Sequence, residues 1–150
     1  MRCFRPISLL ALFTLFLGDM SGGALASDES LSAIENLLKA GRYAEAEGAA
    51  RQQLQAGGSD KADTVEAARI INLLVEAMVR GGEAKNPEAR NLAERSVSTM
   101  ERSYGRQSPE TAESLSVLGR VSLMSGDYPG ARDRFEEVLA IREKLLAPDD

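Results

Sequence analysis

The side chains able to do covalent or metal chemistry are nearly missing from this sequence. It has 150 residues and no histidine, and its one cysteine is Cys3. Serine–histidine and cysteine–histidine nucleophile systems therefore have no base, and imidazole metal sites have no ligand. No GxxxxGK[ST] phosphate loop, GxSxG elbow or calcium-loop pattern occurs. Carboxylates are plentiful, as in Glu45 with Glu47 or Glu136-Glu137. Adjacent helix positions point about 100° apart, so such pairs read as solvated faces rather than acid–base pairs. Met78, Met100 and Met124 fall at helical spacings and read as core filling. These residues predict no catalysis, cofactor or metal, so the elements that carry them become the informative level.

The amino-terminal 26 residues stand apart. Arg2 and Arg5 precede Ile7 to Leu17, an apolar run of 11 residues, and small residues lead to Ala24-Leu25-Ala26. That order is the one expected of a secretory signal peptide, residues 1–26, with cleavage after Ala26. The run is shorter than the ~20 residues a spanning helix needs, and no later segment is apolar enough. The expected chain, residues 27–150, is exported and holds no membrane segment once cleaved. Residues 1–26 carry Arg2, Arg5 and Asp19, a net +1, so the remainder holds −6 where the whole holds −5. It loses Cys3, which leaves no thiol to pair in an oxidising compartment. Its mild acidity argues against a phosphate-neutralising nucleic-acid surface.

The rest repeats itself. Gly41-Arg42-Tyr43-Ala44-Glu45-Ala46 matches Gly126-Asp127-Tyr128-Pro129-Gly130-Ala131, and Gly82 to Ala89 lies midway. From Ala46 to Ala89 is 43 residues, and from Ala89 to Ala131 is 42. A period in this range marks a solenoid of helical hairpins. Six helices are expected. The first opens at Ser27 as cap, has Leu31, Ile34, Leu37 and Leu38 as its apolar face, and ends at Gly41. The second runs from Tyr43 to Gln55. Ser59 or Asp60 caps a third, with Val65, Ala68, Ile71, Leu74, Val75, Met78 and Val79 on one face. Asn86-Pro87 and Ser108-Pro109 restart the chain as cap and first-turn proline. Leu115, Leu118, Val121 and Leu123 carry the fifth helix to Gly126. The sixth presents Ala131, Phe135, Val138, Leu139, Ile141 and Leu145 as a stripe wide enough for two neighbours. No segment alternates apolar and polar residues as a strand does. The fold class is all-α, an α-solenoid of three antiparallel hairpins spanning about 28–58, 60–105 and 108–146.

The Gly-x-Tyr-x-x-Ala turn followed by an aromatic four residues on resembles the tetratricopeptide repeat. Ala140-Ile141-Arg142-Glu143-Lys144, and the run from Ser108 through Thr111-Ala112-Glu113-Ser114-Leu115 to Gly119, are similar to its longer-period form, found in kinesin light chains and many bacterial proteins. The sequence departs from that pattern at Asn86, which replaces the turn tyrosine, and at Ala50 and Ala93, which stand where Phe135 supplies the aromatic. The first two units are therefore expected to pack with smaller side chains, while Phe135 or Tyr128 fills the space between successive pairs.

In that family the first helix of each pair lines a concave groove. By this resemblance the peptide-binding positions are Arg69, Asn72 and Glu76 in the second unit and Glu113, Ser116 and Arg120 in the third. The resemblance implies a non-catalytic scaffold that binds a protein or peptide partner, in a bacterial periplasm or secreted. Two other roles follow from different features. Long-period repeats often precede CHAT-type peptidase domains, which would make this the front of a larger enzyme. An uncleaved first segment would instead make a membrane-tethered assembly factor.

Overall fold

The computed structural model describes residues 22–58 and 63–146, and the signal-peptide expectation lies largely outside them. Six helices follow one another: α1 (Gly22–Lys39), α2 (Tyr43–Gly57), α3 (Val65–Arg80), α4 (Pro87–Tyr104), α5 (Pro109–Ser125) and α6 (Tyr128–Leu146). No strand occurs among the described residues. Each helix packs on the next, and α3 also touches α1 and α5, so α1, α3 and α5 form one layer of a helical solenoid.

The turn is what repeats most faithfully. At Gly41, Gly82 and Gly126 the glycine amide donates to a carbonyl three residues back, and the next amide donates to one five residues back. Gly41 and Gly126 hold φ of 73° and 92°, a left-handed conformation that costs glycine little and closes the preceding helix. Helix starts are fixed by side chains. Asn86 accepts from the Glu88 amide at 3.0 Å and Ser108 from the Thr111 amide at 3.1 Å, each with proline next.

Two expected starts are displaced. The cap of α3 is Thr64, whose hydroxyl accepts from the Ala67 amide at 3.2 Å. Ser59 and Asp60 lie outside the described residues. Helix α1 already begins at Gly22, so Ser27 is inside it rather than its cap. Asp28 and Glu29 thus lie within the helix rather than in its first turn.

The core follows the alanine period. Ala46, Ala89 and Ala131 are all buried, and so are Ala50 and Ala93, as the missing aromatics imply. Small side chains at these points let helices approach until backbone-level contacts replace bulky packing. Ile34, Ile71, Leu74, Val75, Met78, Leu115 and Val121 fill the remaining space. Outward ion pairs bind one hairpin to the next. Arg51 Nη1 of α2 lies 2.6 Å from a Glu88 carboxylate oxygen of α4, and Arg90 Nη2 of α4 lies 2.9 Å from Asp127 at the start of α6.

The last hairpin departs from expectation. Helix α6 packs chiefly on α5. Only Ala131, Val138 and Ile141 of its wide stripe are buried, while Leu139 is 56% exposed. Tyr128 and Phe135 do not fill a space between successive pairs, because no pair follows among the described residues. Tyr128 is 68% exposed, and Phe135 lies against Gly119 of its own hairpin. Leu123 and Met124 are likewise exposed rather than core.

Candidate binding groove

The layer formed by α1, α3 and α5 carries the groove. Two concavities run along it, one of about 600 Å³ toward the amino-terminal ends of the three helices and one of about 350 Å³ toward their carboxyl-terminal ends. Leu73, Glu35 and Glu113 line both, which makes them one continuous surface.

The six expected positions divide between them. Asn72, Glu76, Glu113, Ser116 and Arg120 line the second concavity, and Arg69 with Glu113 lines the first. They differ in what they can offer a ligand. Arg69 and Glu113 are exposed, and neither makes an ion pair among the described residues. Glu76 is largely covered. Its carboxylate bridges Arg80, at 2.7 Å one turn on, and Arg120 of α5. The Ser116 hydroxyl donates to the Ala112 carbonyl at 2.8 Å, leaving its lone pairs outward.

Asn72 departs from the expectation of a groove-facing amide. It is 5% exposed, and both ends of its side chain are engaged. Its Nδ2 donates to Ser114 Oγ of α5 at 2.9 Å, and its Oδ1 accepts from Ser96 Oγ of α4 at 2.7 Å. The two serine hydroxyls also lie 3.1 Å apart, and Ser96 can reach the Ala68 carbonyl. Three helices thus meet at one satisfied polar cluster, in the floor of the groove with little of the amide left exposed.

Two contributions had no counterpart in the expected set. The α1 row, Asp28, Leu31, Glu35 and Lys39, follows helical spacing and was legible as a face. Arg142 comes from α6, the second helix of its pair, and no groove rule for first helices reaches it.

The surface is electrostatically uneven. Asp28, Glu35, Glu110 and Glu113 surround Arg69 at one end, and Lys39, Arg80, Arg120 and Arg142 surround Glu76 at the other. Such a surface suits a polar, extended ligand better than a small apolar one. Among the described residues no set of three acidic, cysteine or histidine side chains is placed to hold a metal, and no helix is long and apolar enough to cross a membrane.

Residues 77–144 match the family model of the tetratricopeptide repeat. The matched span runs from the last turn of α3 to the last turn of α6, and over that part the all-helical solenoid is similar to tetratricopeptide repeats. Tetratricopeptide repeats generally mediate protein–protein interaction. No curated protein matches the chain.

Proposed function

We propose that the chain is an exported, non-catalytic tetratricopeptide-repeat scaffold of the long-period type, whose α1–α3–α5 groove binds an extended protein segment. The 43- and 42-residue spacings of Ala46, Ala89 and Ala131 favour the long period. The order of basic residues, apolar run and Ala24-Leu25-Ala26 favours export to a bacterial periplasm or beyond. The observation that carries the binding role is the continuous surface around Leu73, with charged side chains reaching it from three different helices. A rigid helical layer presents those groups in fixed positions, so a ligand gains contacts without ordering the protein first.

The test is a random peptide library selected on the chain, followed by affinity measurement with Arg69→Glu and Glu113→Arg. Both residues are exposed and outside the core, so the variants keep the parent's helical circular dichroism. Selected peptides are expected to lose tenfold or more in affinity, about 1.4 kcal/mol. Equal affinity for parent and both variants would place binding elsewhere.

A further inference from the structure

The first helices of the three pairs carry their groove charges in step. On α1, Asp28, Glu35 and Lys39 stand seven and four residues apart, and on α3 Arg69, Glu76 and Arg80 repeat that spacing. On α5, Glu113 and Arg120 are again seven apart. At 100° per residue each set falls within an arc of about 40°, and every member lines the groove. A helix dipole rewards acids in the first turn and bases in the last, on any face. It does not account for these rows. Helix α1 has no acid in its first turn, and Arg69 stands near the amino-terminal end of α3.

The two ends are unbalanced in opposite senses. Asp28, Glu110 and Glu113 line the amino-terminal concavity, and none of them makes an ion pair among the described residues. Arg69 is the one cation lining it among the described residues, so the carboxylates are in excess and favour a further positive charge. At the carboxyl-terminal end Arg80 and Arg120 share the single carboxylate of Glu76, which leaves positive charge unneutralised. Lys39 reaches only Glu35, at 3.6 Å with both side chains largely in solvent. Arg142 lines the same concavity and makes no ion pair among the described residues.

Asp28 and Lys39 are eleven residues apart, as are Arg69 and Arg80, which is about 16 Å along the helices. An extended chain covers that length in about five residues. We propose, resting on the groove reading above, that the partner segment is extended and bipolar. A lysine or arginine of the segment sits among Asp28, Glu110 and Glu113. About five residues away, an aspartate or glutamate sits among Lys39, Arg80, Arg120 and Arg142. The opposite charges fix which end of the segment lies at which end of the groove. A uniformly acidic or uniformly basic segment meets repulsion at one end whichever way it lies, so the groove selects against both.

The experiment selects a random peptide library on the full chain, with constant uncharged residues flanking the random stretch so that termini supply no charge. Selected peptides are expected to carry a cation and an anion about four to six residues apart, and to bind more weakly as salt rises. Two variants then reverse one end each, Asp28→Lys with Glu110→Lys, and Lys39→Glu with Arg142→Glu. Both should keep the parent's circular dichroism, and each should weaken a selected peptide about tenfold. Reversing the peptide's cation should restore binding to the first variant only, and reversing its anion to the second only. Loss without this rescue overturns the proposal. So do selected peptides that lack either sign, or whose charges stand about eleven residues apart, the spacing of a bound helix. In those cases sensitivity to Arg69→Glu and Glu113→Arg still upholds binding in the groove. A library that yields no binder, or binders indifferent to all these variants, defeats both readings.

Discussion

Asn72 Nδ2 on α3 donates to Ser114 Oγ on α5 across 2.9 Å, linking two first helices of successive hairpins inside the core. The same amide accepts from Ser96 on α4, so one side chain joins three helices. A buried amide is stabilising only while its partners remain, since each orphaned polar group carries its own desolvation cost. Here the cluster is complete, and no buried side-chain nitrogen or oxygen lacks a partner among the described residues.

Asn72→Ala should therefore be costly out of proportion to its size. It removes both hydrogen bonds and leaves a gap between Ser96 and Ser114. The expected loss is about 2–4 kcal/mol in urea unfolding, from two lost hydrogen bonds plus a cavity. Asn72→Leu fills the gap but leaves Ser96 and Ser114 bonded only to the Ala68 carbonyl and to each other, and should also destabilise. The triple variant, Asn72→Leu combined with Ser96→Ala and Ser114→Ala, removes the under-bonded hydroxyls as well and should recover much of the loss. A single Asn72→Ala costing under about 0.5 kcal/mol would show the cluster contributes little.

How far these features were readable beforehand depends on their range. Helix positions, the turn glycines and the prolines at Pro87 and Pro109 are local signals, and they place α2, α4 and α5 well. The Thr64 cap was missed because Ser59 and Asp60 offered the same chemistry closer to Gly58. Asn72 shows a different gap. Its helical position is set by sequence, but whether an amide faces solvent or a neighbour depends on how close α4 and α5 approach. That distance is decided by Ala68, Ser96 and Ser114 together. The α6 stripe was legible as apolar, yet its exposure depends on what packs beside it, which periodicity does not record.

The inter-hairpin ion pairs give a pH dependence of definite sign. Hydrogen bonding to Arg51 holds the Glu88 carboxyl below its ordinary range. Hydrogen bonds from Arg90 and then the Gly130 amide do the same for Asp127. A carboxylate whose folded pKa is depressed stabilises the fold above its unfolded pKa, about 4.3 for Glu and 3.9 for Asp. That contribution is lost as pH falls through the lower folded value. Thermal midpoints of Glu88→Gln with Asp127→Asn should lie below the parent at neutral pH and converge with it under strongly acidic conditions. Added salt should narrow the neutral-pH gap, because these groups are solvent-exposed. A gap that persists unchanged into strong acid would assign the effect to packing rather than charge.

Gly119 of α5 tests how tightly the last hairpin is closed. A Cβ built there would stand 2.9 Å from Phe135 Cε1 and 3.0 Å from Cζ, closer than carbon atoms pack. The obstacle is the far end of a ring that is 36% exposed and can swing outward. Two effects then oppose each other for Gly119→Ala. Alanine gains about 0.8–1 kcal/mol of helix propensity over glycine, and displacing the ring removes part of that. The net change should stay within about 1 kcal/mol of zero. Gly119→Leu cannot be relieved by ring movement alone and should cost about 1–3 kcal/mol by overpacking. Adding Phe135→Ala to Gly119→Leu should then cost less than Phe135→Ala costs in the parent. The coupling read from that double-mutant cycle should be at least about 0.5 kcal/mol, as for side chains in contact. Strict additivity would mean that α5 and α6 separate freely at this level, and that the Phe135 ring does not set their spacing.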